Sequence, residues 1–313
     1  MNTSDFTEHR PLMFSIAYRM TGSVSDAEDI VQEAFLRLTG GTQAHADVTS
    51  PKAYLATITT RLAIDHLRSA RVRRESYVGT WLPEPLIAGA GAGLEPDPAD
   101  LAETSDSLSM AFLVLLESLS PAERAVFLLR EVFGYDYREI AEITGKSEPA
   151  CRQIFARARR HIDESRATIK GLRTSRAEGE ELTSLFLAAA DGGDMTSLLE
   201  RLAPDVLFYG DSGGQGEATF IVPVCGRERV AEVIGVQFAR TIALGASLRA
   251  AWVNGQPGIL AYDADGGLIA VIALDVLDGQ VQAIRTVANP EKLRHLGPVS
   301  RTWHLRWRDE GSS

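Results

Sequence analysis

Apolar residues recur with a helical period through the first 75 positions. In "SDAEDIVQEAFLRL", Ala27, Val31, Ala34, Phe35 and Leu38 share one face at about 100° per residue, while Asp26, Asp29 and Glu33 line the other. Ser25, with Glu28 three residues on, reads as the N-cap of a capping box. A second period runs through "SPKAYLATITTRLAIDHLRSARVRRE", with Pro51 in the first turn. Leu55, Ile58, Thr59 and Leu62 turn inward. Arg61, Arg68 and Arg71 fall on a common outer face with Thr57 and Ile64, and Tyr54 stands at its edge.

Helical periodicity returns over residues 110–165. "SPAER" reads as a helix start, with Ser120 capping and Pro121 in the first position. "DYREIAEITGKSEPACRQIFARARR" has the order helix, glycine-containing turn, helix of a helix-turn-helix. In its second helix Cys151, Ile154, Phe155, Ala158 and Ile162 form an apolar face. Gln153, Ala156 and Arg160 point oppositely, flanked by Arg152, Arg157 and Arg159. An apolar anchor backing Gln and Arg suits contact with base edges and phosphates. Cys151 lies on the apolar side, which makes it a packed thiol and not a redox switch.

The texture changes near residue 178. Amphipathic helical sequence leads into short alternating segments, "DVLFYG", "ASLRAAWV", "GILAYDA", "LIAVIALDVL" and "QVQAIRTVA", with "PVCGRERVAEVIGVQFARTIA" supplying a further helix. Helices followed by a curved antiparallel sheet predict a separate α+β domain. Between the two helical regions, residues 76–110 have no clear period. "GTWLPEPLIAG" cannot be helix interior or central strand, because Pro83 and Pro85 fix φ and remove donors. The prolines hold the backbone extended and present Trp81 and Leu82. Beyond them the chain becomes a Gly/Ala/Pro-rich acidic tether.

The net charge of −10 disguises local polarity. Residues 1–80 carry nine cations against nine anions, 81–110 none against six, 111–173 eleven against nine, and 174–313 twelve against eighteen. Five arginines crowd residues 61–74 against Asp65 alone, and eight cations face three anions in 146–173. Two basic helical ends joined by an acidic tether fit nucleic-acid binding, which depends on local patches. The acidic face at Asp26, Asp29 and Glu33 is either a solvated surface or a docking surface for a basic partner. No apolar run approaches membrane-spanning length, and the two cysteines, Cys151 and Cys225, sit in unlike contexts. No Cys/His cluster has metal-ligand spacing and no nucleotide-binding glycine pattern is present, so no metal or cofactor is expected, and a cytoplasmic location fits.

"AYRMTGSVSDAEDIVQEAFLRL", "AYLATITTRLAIDHLRSARVRRE" and the helix-turn-helix at 119–162 resemble regions 2 and 4 of bacterial extracytoplasmic-function sigma factors. "WLPEP" (81–85), "DSGGQ" (211–215), "VNGQPG" (253–258) and "NPEKL" (289–293) resemble the subgroup with a fused C-terminal SnoaL-like domain. The chain departs from that pattern at Ser212, where a glycine is usual, at Gln215, where a base is usual, and at Tyr54, where many relatives have tryptophan.

The resemblance implies a multi-domain fold: two all-α sigma domains plus an α+β SnoaL-like cone. Its domains are region 2 over 1–75, the linker over 76–110, region 4 over 111–172, a regulatory domain over 178–297 and a tail over 298–313. The implied partners are bacterial core RNA polymerase and promoter DNA, with an unidentified small ligand for the C-terminal domain and no membrane. Asp26, Asp29, Gln32 and Glu33 would dock to the polymerase. Tyr54, Arg61, Arg68, Arg71 and Arg74 would engage the melted minus-ten element. Ser147, Glu148, Arg152, Gln153, Arg157 and Arg160 would approach the minus-thirty-five element. Trp81, Leu82, Pro83, Glu84 and Pro85 are expected to pack on the C-terminal domain near Asp211, Gly213 and Gly214 or near Asn289, Pro290, Glu291, Lys292 and Leu293, forming an intramolecular latch.

Two other readings compete with promoter recognition regulated in cis. The C-terminal domain could be a small-molecule isomerase or cyclase, or a ligand sensor, attached to DNA binding. Residues 174–294 contain no histidine, the commonest general base, and Asp211, Asp263 and Asp275 sit in turn or strand contexts. A ligand-responsive repressor needs only the helix-turn-helix, and would leave the acidic helix and the basic helix near residue 61 unexplained.

Overall fold

The computed structural model describes residues 3–40, 50–75, 77–87, 107–165, 174–192, 195–214, 222–243 and 245–300, with the backbone alone given for 3–5, 40, 70–75, 165 and 241. Contacts divide them into two units: residues 3–75 with 112–165, and residues 77–87 and 107–111 with 174–300.

The first unit is all-helical. Its helices are α1 (Thr3–Thr21), α2 (Val24–Gly40), α3 (Pro51–Glu75), α4 (Met110–Leu116), which enters it at Phe112, α5 (Pro121–Glu131), α6 (Tyr137–Thr144) and α7 (Glu148–Ser165). Ala27, Val31, Ala34 and Leu38 of α2 are buried as their period requires. The N-cap of α2 is Ser23 and not Ser25: the Asp26 N–H donates to Ser23 Oγ at 3.0 Å. Gly22, in the left-handed region at φ 67°, turns the chain early enough for the cap to fall two residues upstream.

A larger correction concerns α3. Its period puts Thr57, Arg61 and Ile64 on the outside, yet Ile64 is buried and Thr57 half-buried. Helix α6 packs against that side, so α3 is covered on more of its circumference than its own period indicates.

Helices α5 to α7 close around Phe127, whose ring stacks on Phe155 at 6.0 Å, with Tyr137 edge-on to Phe155 at 6.0 Å. Helix α5 opens on a full capping box. Ser120 Oγ accepts from the Glu123 N–H, and Glu123 Oε2 accepts from the Ser120 N–H at 3.0 Å. Asp136 and Glu139 build a second capping box on α6, whose C-cap Gly145 is left-handed at φ 68°. Partial burial pushes the Glu123 carboxyl up, but hydrogen bonds from Ser120 and the Arg157 guanidinium outweigh it and hold the pKa below its usual value. A depressed folded pKa stabilises fully above the ordinary carboxylate range and loses that contribution as pH falls through the folded value. Ser120→Ala should therefore cost about 1 kcal/mol in urea unfolding. The deficit should shrink in acid, where Glu123 no longer holds up its half of the box.

The second unit contains α8 (Arg176–Ala190), α9 (Met195–Arg201), β1 (Leu202–Asp211), β2 (Val224–Cys225), α10 (Arg227–Ala243), β3 (Ser247–Val253), β4 (Gln256–Tyr262), β5 (Leu268–Leu277) and β6 (Gln280–Val287). The sheet order is β2-β1-β6-β5-β4-β3. It is mixed and not wholly antiparallel, because β1 and β6 run parallel, with Phe208 opposite Ile284 and Asp211 opposite Val287. One face meets the helices through Leu182, Phe186, Val206, Phe208, Phe238, Ile259, Leu274 and Ile284. Side chains alternate across a strand, so Tyr209, Asp211, Asp275 and Arg285 belong to the other face.

Candidate functional site

Residues 77–87 run over the second unit. Leu82 is fully buried, and Pro83, Glu84 and Pro85 are buried beside it, while Trp81 is half-buried. Asp211, at the end of β1 and 0% exposed, is the hub. Its carboxylate accepts from the Leu82 N–H at 2.8 Å, the Gly213 N–H at 3.1 Å, Lys292 Nζ at 2.6 Å and the Tyr77 hydroxyl. Lys292 also donates to the Leu82 carbonyl, and its ammonium lies 4.5 Å from the centre of the Trp81 ring and 4.9 Å from that of Tyr77. An ammonium held between two aromatic faces and a carboxylate is both neutralised and stripped of water. Burial, then the Asp211 charge and hydrogen bond, push the Tyr77 hydroxyl far up, so it stays a donor throughout the physiological range.

Gly213 and Gly214 permit this approach. Both have positive φ, 69° and 77°, and a Cβ on Gly213 would lie 2.9 Å from Asn289 Nδ2. Asn289 donates to the Tyr77 hydroxyl at 3.1 Å and caps the short helical turn at Pro290–Lys292 by accepting from the Glu291 N–H at 3.0 Å. That turn aims Lys292 inward, leaving Glu291 exposed and Leu293 buried. Gln215 lies outside the described residues.

Sequence pattern does not single out Asn254, Tyr77 or His295 as site residues, and the fold brings all three to the linker. Asn254, at the β3–β4 turn with φ 52°, binds both ends of it. Its N–H donates to the Leu86 carbonyl at 2.7 Å, its Oδ1 accepts from the Leu86 N–H at 2.9 Å, and its Nδ2 donates to the Leu108 carbonyl at 2.9 Å. Ile87 pairs antiparallel with Val253 on the edge strand β3, and His295 Nε2 is 2.8 Å from the Pro85 carbonyl. "VNGQPG" carried the signal for Asn254, but its partners lie 146 and 168 residues away in sequence.

In the first unit, Asp29 and Gln32 are exposed on α2, Glu33 pairs with Arg37 at 2.8 Å, and Asp26 lies 3.1 Å from His66. Tyr54 is half-buried on α3, and Arg68 is exposed beside Asp65 at 3.2 Å. Arg61 is engaged, donating to the Glu142 and Ile143 carbonyls at 2.9 Å each. The side chains of Arg71 and Arg74 lie outside the described residues. On α7, Gln153, Ala156 and Arg160 are exposed together, and Arg157 reaches Glu123 at 2.6 Å. Arg152 bonds Glu148 and lies over the Tyr137 ring at 4.6 Å. Ser147 caps α7, accepting from the Ala150 N–H at 3.3 Å.

The Sigma-70 region 2 family matches residues 6–73, and the Sigma-70 region 4 family matches residues 109–162. The ECF RNA polymerase sigma factor SigJ of Mycobacterium tuberculosis is 37% identical over 98% of this chain and 100% of its own length. The chain belongs to the extracytoplasmic-function sigma factors. The probable sigma factor SigI of the same organism is 35% identical over 91% of this chain and 92% of its own. The crystal structure of SigJ superposes with a TM-score of 0.73 and 33% identity, covering 96% of this chain and all of that one. This sigma factor serves promoter-specific transcription initiation with core RNA polymerase, and its two helical modules are followed by an α+β domain containing a mixed six-stranded sheet. No described helix is long and apolar enough to cross a membrane.

Proposed function

We propose that this sigma factor is regulated in cis, through capture of the linker between regions 2 and 4 by its own C-terminal domain. The observation that carries the reading is the seat of the linker: Leu82 buried on Asp211 and Lys292, and Leu86 and Leu108 both tied to Asn254. A tether joining two DNA-reading modules gives avidity only if it spans their separation. Pinning both its ends to one residue shortens its reach.

In this reading Asp26, Asp29, Gln32 and Glu33 dock to the polymerase. Tyr54, Arg61, Arg68, Arg71 and Arg74 serve the minus-ten element. Ser147, Glu148, Arg152, Gln153, Arg157 and Arg160 serve the minus-thirty-five element, with Ser147 acting through the cap it gives α7. The C-terminal domain acts by binding and not by catalysis. Each carboxylate considered as an acid or base already has a partner: Asp211 has Lys292, Asp275 has Arg285 at 2.9 Å, and Asp263 accepts from the Asp265 and Gly267 N–H groups.

Run-off transcription with core RNA polymerase tests the regulatory reading. The full chain, a truncation near Gly171 and one ending before Asn289 should differ in activity on a cognate promoter. Equal activity of all three would end it.

A further inference from the structure

A long side chain on a recognition helix has many rotamers, and a base contact must select one of them at an entropic cost. Arg152, exposed in the second turn of α7, has much of that selection made in advance. Its guanidinium bonds Glu148 one turn earlier and lies 4.6 Å from the centre of the Tyr137 ring. Glu148 stands N-terminal to Arg152 at the favourable i,i+4 spacing, in the first turn, where a carboxylate also meets the positive end of the helix. Tyr137 has constraints of its own. It is the first residue of α6, behind the Asp136–Glu139 capping box. Its ring meets Phe155 edge-on at 6.0 Å, and the Arg130 guanidinium lies 5.0 Å from its centre. Arg130 is anchored in turn, donating to the Tyr135 carbonyl at 3.0 Å. Phe155 is buried on the apolar side of α7, so the ring beside Arg152 is tied to the core of its module.

We propose that Tyr137 is a positioning residue for base readout: its ring holds Arg152 in the pose that reads one guanine of the minus-thirty-five element. The inference rests on the reading above that α7 meets that element. A guanidinium stacked on a ring uses its flat face there and keeps its N–H groups, which lie in the guanidinium plane, for other partners. Glu148 takes one of these, from Nη2, and the other in-plane donors suit a paired acceptor. In the major groove guanine presents two acceptors, O6 and N7, whereas adenine sets a donor beside its N7 and would meet a donor with a donor. Holding Arg152 in advance lowers the entropy lost on contact. The ring therefore acts on discrimination between bases. Without it the charge remains near the groove, but it is shared among phosphates, which carry no sequence information.

The test uses the full chain assembled with core RNA polymerase. Binding to a cognate promoter is measured with each minus-thirty-five guanine replaced in turn by 7-deazaguanine, which lacks the N7 acceptor and still pairs with cytosine. The wild-type protein should lose affinity roughly five-fold or more at one position. Arg152→Ala should abolish that penalty. Tyr137→Leu should reduce it by roughly two- to five-fold, the scale of an exposed cation–π contact, and Tyr137→Phe, which keeps the ring, should restore it. In an Arg152→Ala background Tyr137→Leu should change nothing further at that position. A merely structural role for Tyr137 would weaken every promoter alike and leave the N7 penalty intact. An intact penalty in Tyr137→Leu, or equal losses in the Leu and Phe variants, would overturn the proposal. The free protein separates this from the promoter reading. The Arg152 side-chain N–H resonance, identified by its loss in Arg152→Ala, should carry a ring-current shift that Tyr137→Leu removes. An absent shift overturns the positioning role itself. A normal shift with no N7 penalty at any position counts against the placing of α7 on the element, and removes the guanine assignment with it.

Discussion

Lys292→Met will release the linker and destabilise the C-terminal domain by about 3–5 kcal/mol, the cost of leaving one member of a buried ion pair without its partner. Asp211 is 0% exposed, and after the substitution only neutral donors from Tyr77, Leu82 and Gly213 face its carboxylate. The protein has one way to reduce that cost. Lifting residues 77–87 admits water to Asp211, so part of the destabilisation should be exchanged for linker mobility. Amide exchange at Leu82, whose N–H binds Asp211 at 2.8 Å, should accelerate beyond the increase that the lost domain stability brings to the interior strand β5. Adding Asp211→Asn should restore part of the loss, because the charge no longer needs a counterion and coupled sites are not additive. An unchanged Leu82 amide in Lys292→Met would mean that Lys292 does not hold the linker.

The other large effect is expected on α7. Gln153→Ala removes an exposed amide on the helix read as base-contacting, and should cost about 1–3 kcal/mol of promoter affinity at one position of the minus-thirty-five element. Arg160→Ala should instead weaken binding across all sequences and lower the salt slope by roughly one counterion. A promoter-variant panel measured at several salt concentrations distinguishes them. If Gln153→Ala weakens every sequence alike, base readout is not its role.

Local features were the most legible in the sequence. Ser120-Pro121-Glu123 announced the start of α5, and of the five-residue apolar set on α7 Cys151, Phe155, Ala158 and Ile162 are buried, with Ile154 half-buried beside them. The cap of α2 was displaced because Ser23 and Ser25 both satisfy the cap chemistry, and only the turn at Gly22 decides between them. Periodicity showed which residues of α3 face one another along the helix, but not that a second helix covers the far side. The parallel pairing of β1 with β6 is likewise a property of where strands meet, which alternation within a strand does not encode.

The same limit governs the latch. The stiffness of "WLPEP" and the unusual loops near Asp211 and Asn289 could be read one segment at a time. That Lys292 would lie between Tyr77 and Trp81 could not, because these groups are more than 200 residues apart and meet only in the folded domain. Asn254 shows it most clearly: one turn residue joins Leu86 to Leu108, the two ends of a tether with which it shares no sequence pattern.

If the C-terminal domain regulates this sigma factor by holding the linker, loosening that hold must change transcription. The decisive measurement is run-off transcription with core RNA polymerase on a cognate promoter, comparing the full chain with Lys292→Met at equal folded concentration. Promoter-specific transcripts are expected from both proteins, at clearly different levels. Equal transcript levels from the two, with the linker shown to be released in the variant, would contradict regulation through linker capture.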